Sequence, residues 1–276
     1  VLATLARALS TAVRETTLHK RARTVVDSLQ RQLLPRDVRL PGGIQVGTVY
    51  RSATAGVDVG GDFFDVFTAD TGHVGVACGD VSGKGVEAAS LTAMAVYSLR
   101  AYALPGAPPS TVLRLLNGAV SEQTPDDRFV TLAYARIDPA TFRVQLALAG
   151  HPPPLVVDGD DVRVLDIPPD VPVGTLRHAT FEQSELRLVA GQSLVLYTDG
   201  VTEARQAGSG AGDPRLLGVE GLVEVVRGLT GQGPQALADG VWAAVRTWTG
   251  DGTTDDCAII VVRCAPEPAS APDAGR

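Results

Sequence analysis

Four aspartates in this chain stand where apolar, strand-like runs begin or end: Asp62 in GGDFFDVF, Asp80 in VGVACGDVSGKG, Asp199 in QSLVLYTDG and Asp255 in TTDDCAIIVVR. An aspartate at one strand end is most often a turn residue. Strand ends are also where loops gather into sites. If the four converge, their charges repel, and either some stay protonated or cations neutralise them. Ligation by oxygen alone, without a histidine pair or a thiolate cluster, points to Mg²⁺ or Mn²⁺ rather than zinc or copper. Two such ions about 4 Å apart lower the pKa of a shared water, which can then attack a phosphoryl group in line. That chemistry needs no serine, cysteine or histidine nucleophile.

The elements that must position these acids can be read from the pattern. The stretch from Val74 to Tyr102 is an apolar strand ending in Asp80, a turn containing Gly79, Gly83 and Gly85, and a helix of small residues from about Gly85 to Tyr102. Ile44 to Arg51 reads as a first strand. Strand signals then run through Phe67, a turn covers Ala69 to Gly72, and His73 to Cys78 forms the next strand. Counting outward from that turn, the hairpin register places Asp62 opposite Gly79, next to Asp80.

Farther along, Ser110 to Gln123 is a helix with Ser110 as cap and Val112, Leu115, Leu116 and Ala119 on one face. Phe129 to Ile137 and Thr141 to Ala149 alternate as a hairpin around DPAT. His151, in the proline-locked AGHPPP loop, reads as structural. Short strands fill Val162 to Arg187, and Gln192 to Gly200 repeats the strand-to-aspartate pattern. Helices follow at about Gly221 to Leu229 and Pro234 to Trp248, with Trp242 and Trp248 as core or near-core anchors. The last strand, Cys257 to Val262, comes directly after Asp255 and Asp256.

Composition narrows the classes. The 276 residues carry a net charge of -7 with no basic tract, which argues against nucleic acid. The absence of a long apolar run argues against a membrane span. Three cysteines, Cys78, Cys257 and Cys264, lack paired spacing and read as reduced thiols in a cytoplasmic core. A phosphate-binding loop in CGDVSGKG is rejected, because that motif needs Gly at Cys78 and Ser or Thr at Gly85. Val1 to Leu34 reads as a helix with a narrow stripe of Leu18, Ala22, Val25, Leu29 and Leu33. That stripe fits either packing on its own domain or pairing with a second copy. The tail from Ala265 to Arg276 has no periodicity and reads as disordered.

Six motifs in order, GGDFFDVF, GDVSGKGVEAA, RFVTLAYARID, AGHPPPLVV, LVLYTDGVTEAR and TDDCAIIVVR, resemble the SpoIIE-like branch of the metal-dependent type 2C protein phosphatases over about Leu33 to Arg263. The resemblance implies an α+β fold, a four-layer α-β-β-α sandwich of two antiparallel sheets flanked by helices. It divides the chain into a linker and dimerisation helix (1–37), a phosphatase domain (38–264) and a tail (265–276).

It further implies that Asp80 bridges two Mn²⁺ or Mg²⁺ ions, with Asp199 and Asp255 completing one, the Val81 carbonyl serving the other, and Asp62 holding that second ion directly or through water. Other type 2C members carry glycine at Val81, where a carbonyl ligand does not depend on the side chain. Asp256 could exchange roles with Asp255, Asp58 and Asp65 could stand in an outer shell, and Arg51 or Lys84 could replace the arginine that holds substrate phosphate. The implied substrate is a phosphoserine or phosphothreonine on a small regulatory protein of the anti-anti-sigma type, with a sensor domain upstream and a homodimer joined through the linker. A catalytically inactive binding module is the alternative, as is a single structural cation; retention of all four aspartates favours the enzyme.

Overall fold

The computed structural model describes residues 40–52, 60–123, 128–209, 215–250, 252 and 255–265. The expected linker helix, Asp58 and all but the first residue of the expected tail lie outside them. Among the described residues, ten strands form two antiparallel five-stranded sheets. The first holds β1 (Ile44–Arg51), β10 (Cys257–Cys264), β9 (Ser193–Tyr197), β6 (Leu155–Asp158) and β7 (Asp161–Val164), in that spatial order. In the second, β2 (Phe63–Thr68), β3 (Val74–Val81), β4 (Val130–Ile137), β5 (Arg143–Ala149) and β8 (Ser184–Arg187) lie side by side.

Helices α1 (Val86–Ala103) and α2 (Pro109–Gln123) cover the outside of the second sheet. A single turn, α3 (Asp199–Thr202), follows β9; α4 (Gly218–Arg227) and α5 (Pro234–Thr249) cover the first sheet. The result is the expected α-β-β-α sandwich.

Strand alternation builds these layers. Side chains along a strand point alternately to the two faces. Val74, Val76 and Cys78 of β3 meet Ala258, Ile260 and Val262 of β10 between the sheets. Ala77 and Val81 face the other way, onto the α1 and α2 layer. All three cysteines are free and buried. Trp242 and Trp248 are partly buried against the α4 and α5 layer. The exposed edge of β1 is covered by Gln235 of α5, whose amide accepts from Thr48 N at 3.0 Å and donates to Thr48 O at 3.1 Å, so the edge offers less unpaired backbone.

Two expectations shift. The hairpin register pairs Phe63, not Asp62, with Gly79. The connection closes with Ala69 N donating to His73 O at 2.8 Å and turns through Gly72, at φ 81; it takes in His73, one residue more than the expected turn, and β3 begins at Val74. Continuing the observed register sets Asp62 opposite Asp80, so both fall on the same face. A slip of one residue reverses every side chain.

In α2, Ser110 lies inside the helix, and its hydroxyl donates to Gln183 Oε1 at 3.1 Å instead of capping. The buried face is Val112, Leu113, Leu116, Asn117 and Val120, which leaves Leu115 partly exposed.

Candidate metal centre

At one end of the inter-sheet layer the apolar side chains give way to polar ones on the same alternation. Leu194 and Leu196 of β9 lead to Thr198, Ile260 and Ala258 of β10 lead back to Asp256, and Phe64 of β2 leads back to Asp62. The polar cluster is therefore the mouth of the core, built from both sheets. Ligand atoms of Asp62, Asp80 and Asp199 all lie within 4.8 Å of one another.

Asp62 is 6% exposed. Its Oδ2 accepts from the Thr198 hydroxyl at 2.6 Å, and the same hydroxyl oxygen accepts from Ala258 N at 2.9 Å. Thr198 precedes α3 as its N-cap, yet its hydroxyl serves Asp62 rather than the helix. Sequence reasoning missed this residue, although the period-two pattern Leu194, Leu196, Thr198 placed it on the inter-sheet face. Asp199 opens α3, where the Gly200 N–H partly stabilises its charge.

Glycines give the acids room. A Cβ at Gly61 would stand 2.2 Å from the Val81 carbonyl oxygen and 2.3 Å from Asp80 Oδ1, and Val81 N donates to Gly61 O at 3.2 Å. Gly61 thus leaves a cradle beside the carbonyl and carboxylate proposed as ligands. Past Asp80 the turn bends through Gly83 and Gly85, at φ 97 and 90, values that favour glycine.

The electrostatics are those of crowded acids. Burial and the neighbouring Asp199 and Asp255 charges push Asp80 up to about 7, against a hydrogen bond with Asp62. Burial, then Asp80, raises Asp62 well above the carboxylate range, while Thr198 pulls the other way. Asp199 is raised by burial, Glu203 and Asp255. The phenol of Tyr50 is raised by burial and by Asp256, Asp62 and Asp80. Carboxylates in this state fit divalent cations: a 2+ charge among them stabilises the ionised forms that burial and mutual repulsion disfavour.

Other candidate residues divide by position. Asp255 stands exposed at the rim, outside the group of three, with Lys84 Nζ 4.0 Å from its Oδ1. Asp256 is 5% exposed and packs against Gly60, where a Cβ would fall 1.5 Å from its Oδ2. Asp65 turns to the opposite face of β2 and is fully buried in a two-point ion pair with Arg100 of α1, at 2.9 and 2.5 Å. Arg51 donates to Tyr50 O and lies over the Trp242 ring of α5. His151 is buried, and desolvation pushes it down to about 3, so its ring is neutral. Its Nδ1 lies 3.2 Å from the hydroxyl of Thr131, the residue paired with Asp80.

Comparison with known proteins agrees with this architecture. Residues 70–265 match the family described as Stage II sporulation protein E (SpoIIE). The phosphoserine phosphatase RsbU of Bacillus subtilis (strain 168) is 28% identical over 182 residues, which cover 66% of this chain and 53% of RsbU. The chain thus spans about half of that relative's length. The crystal structure of the RsbU and RsbW domains of Rv1364c from Mycobacterium tuberculosis superposes with a TM-score of 0.74 at 24% identity, over 86% of this chain and 64% of the other. The SiaA-PP2C domain of Pseudomonas aeruginosa superposes with a TM-score of 0.75 at 20% identity, over 91% and 99%.

Proposed function

Since the chain belongs to the SpoIIE family, we propose that it is a metal-dependent protein serine/threonine phosphatase that hydrolyses phosphoserine or phosphothreonine on a regulatory protein of the anti-anti-sigma type. The observation that carries this reading is the convergence of Asp62, Asp80 and Asp199 from two sheets onto one glycine-lined mouth.

In this reading the attacking group is water, and no side chain is assigned as nucleophile. Cys78 and Cys257 are buried thiols whose pKa values burial and the aspartate charges raise. His151 is neutral and directed to Thr131. In this reading Asp62, Asp80, Asp199, Asp255 and the Val81 carbonyl hold two Mn²⁺ or Mg²⁺ ions. When bound, such ions supply the acidity that lets water attack phosphorus and the positive charge that meets the phosphoryl oxygens. Thr198 fixes the rotamer of Asp62, Gly61 keeps the cradle open, and the apolar layer behind the acids excludes water from their far side.

The fuller proposal places the protein in the cytoplasm, with an upstream sensor domain and a homodimer joined through a helix over residues 1–37. Among the described residues no helix is long and apolar enough to cross a membrane.

The test is phosphate release from p-nitrophenyl phosphate and from phosphoserine peptides, with Mn²⁺, with Mg²⁺ and after chelation. Release is expected only with metal, and Asp80→Asn and Asp199→Asn are expected to lose it. Unchanged rates in those variants would refute the site. A folded wild-type protein inactive on every substrate would favour the binding-module reading. The dimer is checked separately, by the mass in solution with and without residues 1–34.

A further inference from the structure

The buried face of α2 includes Asn117, which acts as a bolt. Its amide nitrogen donates to Leu176 O at 2.9 Å and Arg177 O at 3.3 Å, and its oxygen accepts from Gly174 N at 2.8 Å. This fixes the 174–178 segment alongside the helix. Between them lies a cavity of about 380 Å³ whose lining includes Arg114, Gly118, Glu122, Arg177 and His178.

Three features of this groove point to an outside ligand. Gly118 sits in the interior of α2, where glycine disfavours the helix, and a Cβ there would meet no atom within 4 Å. Nothing in the described residues requires the position to be bare; a backbone approaching from outside would use it. Next, neither Arg114 nor Arg177 forms an ion pair among the described residues, and Arg177 reaches Ser121 O at 3.5 Å. In a chain of net charge -7, two unpaired guanidinium groups on one groove form a local positive site suited to carboxylates. Finally, Leu176, 56% exposed, offers an apolar contact beside them.

Backbone hydrogen bonds tie the segment that enters the groove to the turn after Asp80. Val173 bridges to Val130 through a reciprocal pair of 2.9 Å hydrogen bonds. Phe129 exchanges bonds with Ser82, donating to its hydroxyl and accepting from its N–H, both at 2.9 Å. Ser82 begins the turn that follows Asp80 and Val81.

We propose that this groove docks an acidic segment of the phosphoprotein substrate, with Arg114 and Arg177 pairing its carboxylates and Gly118 admitting its backbone. The proposal rests on the phosphatase reading above. Glu122, on the same groove, opposes such a ligand and tunes its affinity.

The experiment compares phosphoserine peptides that carry a run of glutamates or of lysines at increasing spacing from the phosphoserine, using Mn²⁺-loaded protein. The glutamate series is expected to have a KM about tenfold lower at its best spacing. The Arg114→Glu/Arg177→Glu double variant should abolish that advantage through KM with little change in kcat, Gly118→Leu should do the same by filling the groove, and Glu122→Gln should enlarge it. Equal KM for both series in the wild type, or an advantage that survives the double variant, would overturn the proposal. If the wild type fails on p-nitrophenyl phosphate and on every phosphoserine peptide, the phosphatase reading fails. The groove is then tested alone by fluorescence anisotropy of a labelled glutamate peptide, where binding no weaker in the double variant overturns it.

Discussion

Replacing Gly61 by alanine adds a single methyl group at the metal centre. The new Cβ would stand 2.2 Å from the Val81 oxygen and 2.3 Å from Asp80 Oδ1, more than 1 Å inside an ordinary contact of at least 3.4 Å. The Asp80 carboxylate can rotate; the Val81 carbonyl cannot, because β3 is paired with β4 up to Val81 and Val130 and Val81 N is bonded to Gly61 O. The start of β2 must therefore move by about 1 Å relative to the end of β3. Overpacking of this kind costs about 1–3 kcal/mol of stability, and a misplacement of about 1 Å at a reacting centre costs roughly 100-fold in rate.

The control is Gly159→Ala in the β6–β7 turn. There φ is 56 and no atom lies within 4 Å of the added Cβ, so forcing a non-glycine residue into that conformation costs about 1–2 kcal/mol without touching the site. Both variants are assayed for Mn²⁺-dependent hydrolysis of p-nitrophenyl phosphate across a metal titration, with Tm measured alongside. Gly61→Ala is expected to lose about 100-fold in turnover and Gly159→Ala to keep it. Turnover of Gly61→Ala within about threefold of wild type, or an equal loss in Gly159→Ala, would refute the cradle.

Two further outcomes follow from buried charge. In chelated protein Asp80 is raised to about 7, and Asp62 and Asp199 are also raised. Between about pH 4 and about pH 7 these acids hold protons that the unfolded chain has lost, and they outweigh the one proton that buried, neutral His151 forgoes, so stability falls as pH rises through that window. Tm without metal should decline across it, Mn²⁺ should restore it, and a flat metal-free profile would contradict the crowding. In the second case, Arg100→Leu leaves Asp65 buried without its partner, at a cost of about 3–5 kcal/mol in urea denaturation. Arg100→Leu/Asp65→Leu should recover most of this; a single-variant loss under about 1 kcal/mol would mean that Asp65 finds another partner.

Much of this arrangement was legible in the sequence because alternation and strand ends are local properties. β1 has its expected bounds, Ile44 to Arg51, and the strand-to-aspartate pattern at Asp80 and Asp199 marked two acids that the structure brings together. What escaped depends on single residues or on contacts across the core. One residue, His73, belongs to the β2–β3 connection rather than to β3, which moves the register by a residue and sets Asp62 in line with Asp80. Asp65 looked equally close to the site in sequence but lies on the other face of its strand, where Arg100 holds it. Thr198 and Asp62 are 136 positions apart, and only the packing of one sheet on the other makes them partners. The burial of Asp256 and exposure of its neighbour Asp255 follow the phase of β10, which two adjacent acids do not reveal.

The pairing of β1 with β10 along their full length, Ile44 to Cys264 through Arg51 to Cys257, has a consequence for the chain as it is made. β10 lies between β1 and β9, so until residues 257–264 emerge the earliest described strand has no neighbour among the described strands and β9 lacks one of its two. The sheet carrying Asp199 cannot close locally; it waits on contacts separated by most of the sequence, which are slow to form because a long loop must be ordered first. The acids of the second sheet, Asp62 and Asp80, lie on a hairpin that needs no such wait. A nascent chain therefore completes half of the mouth early and the other half only after β10 is synthesised, which delays the assembled centre until the domain can fold as a whole.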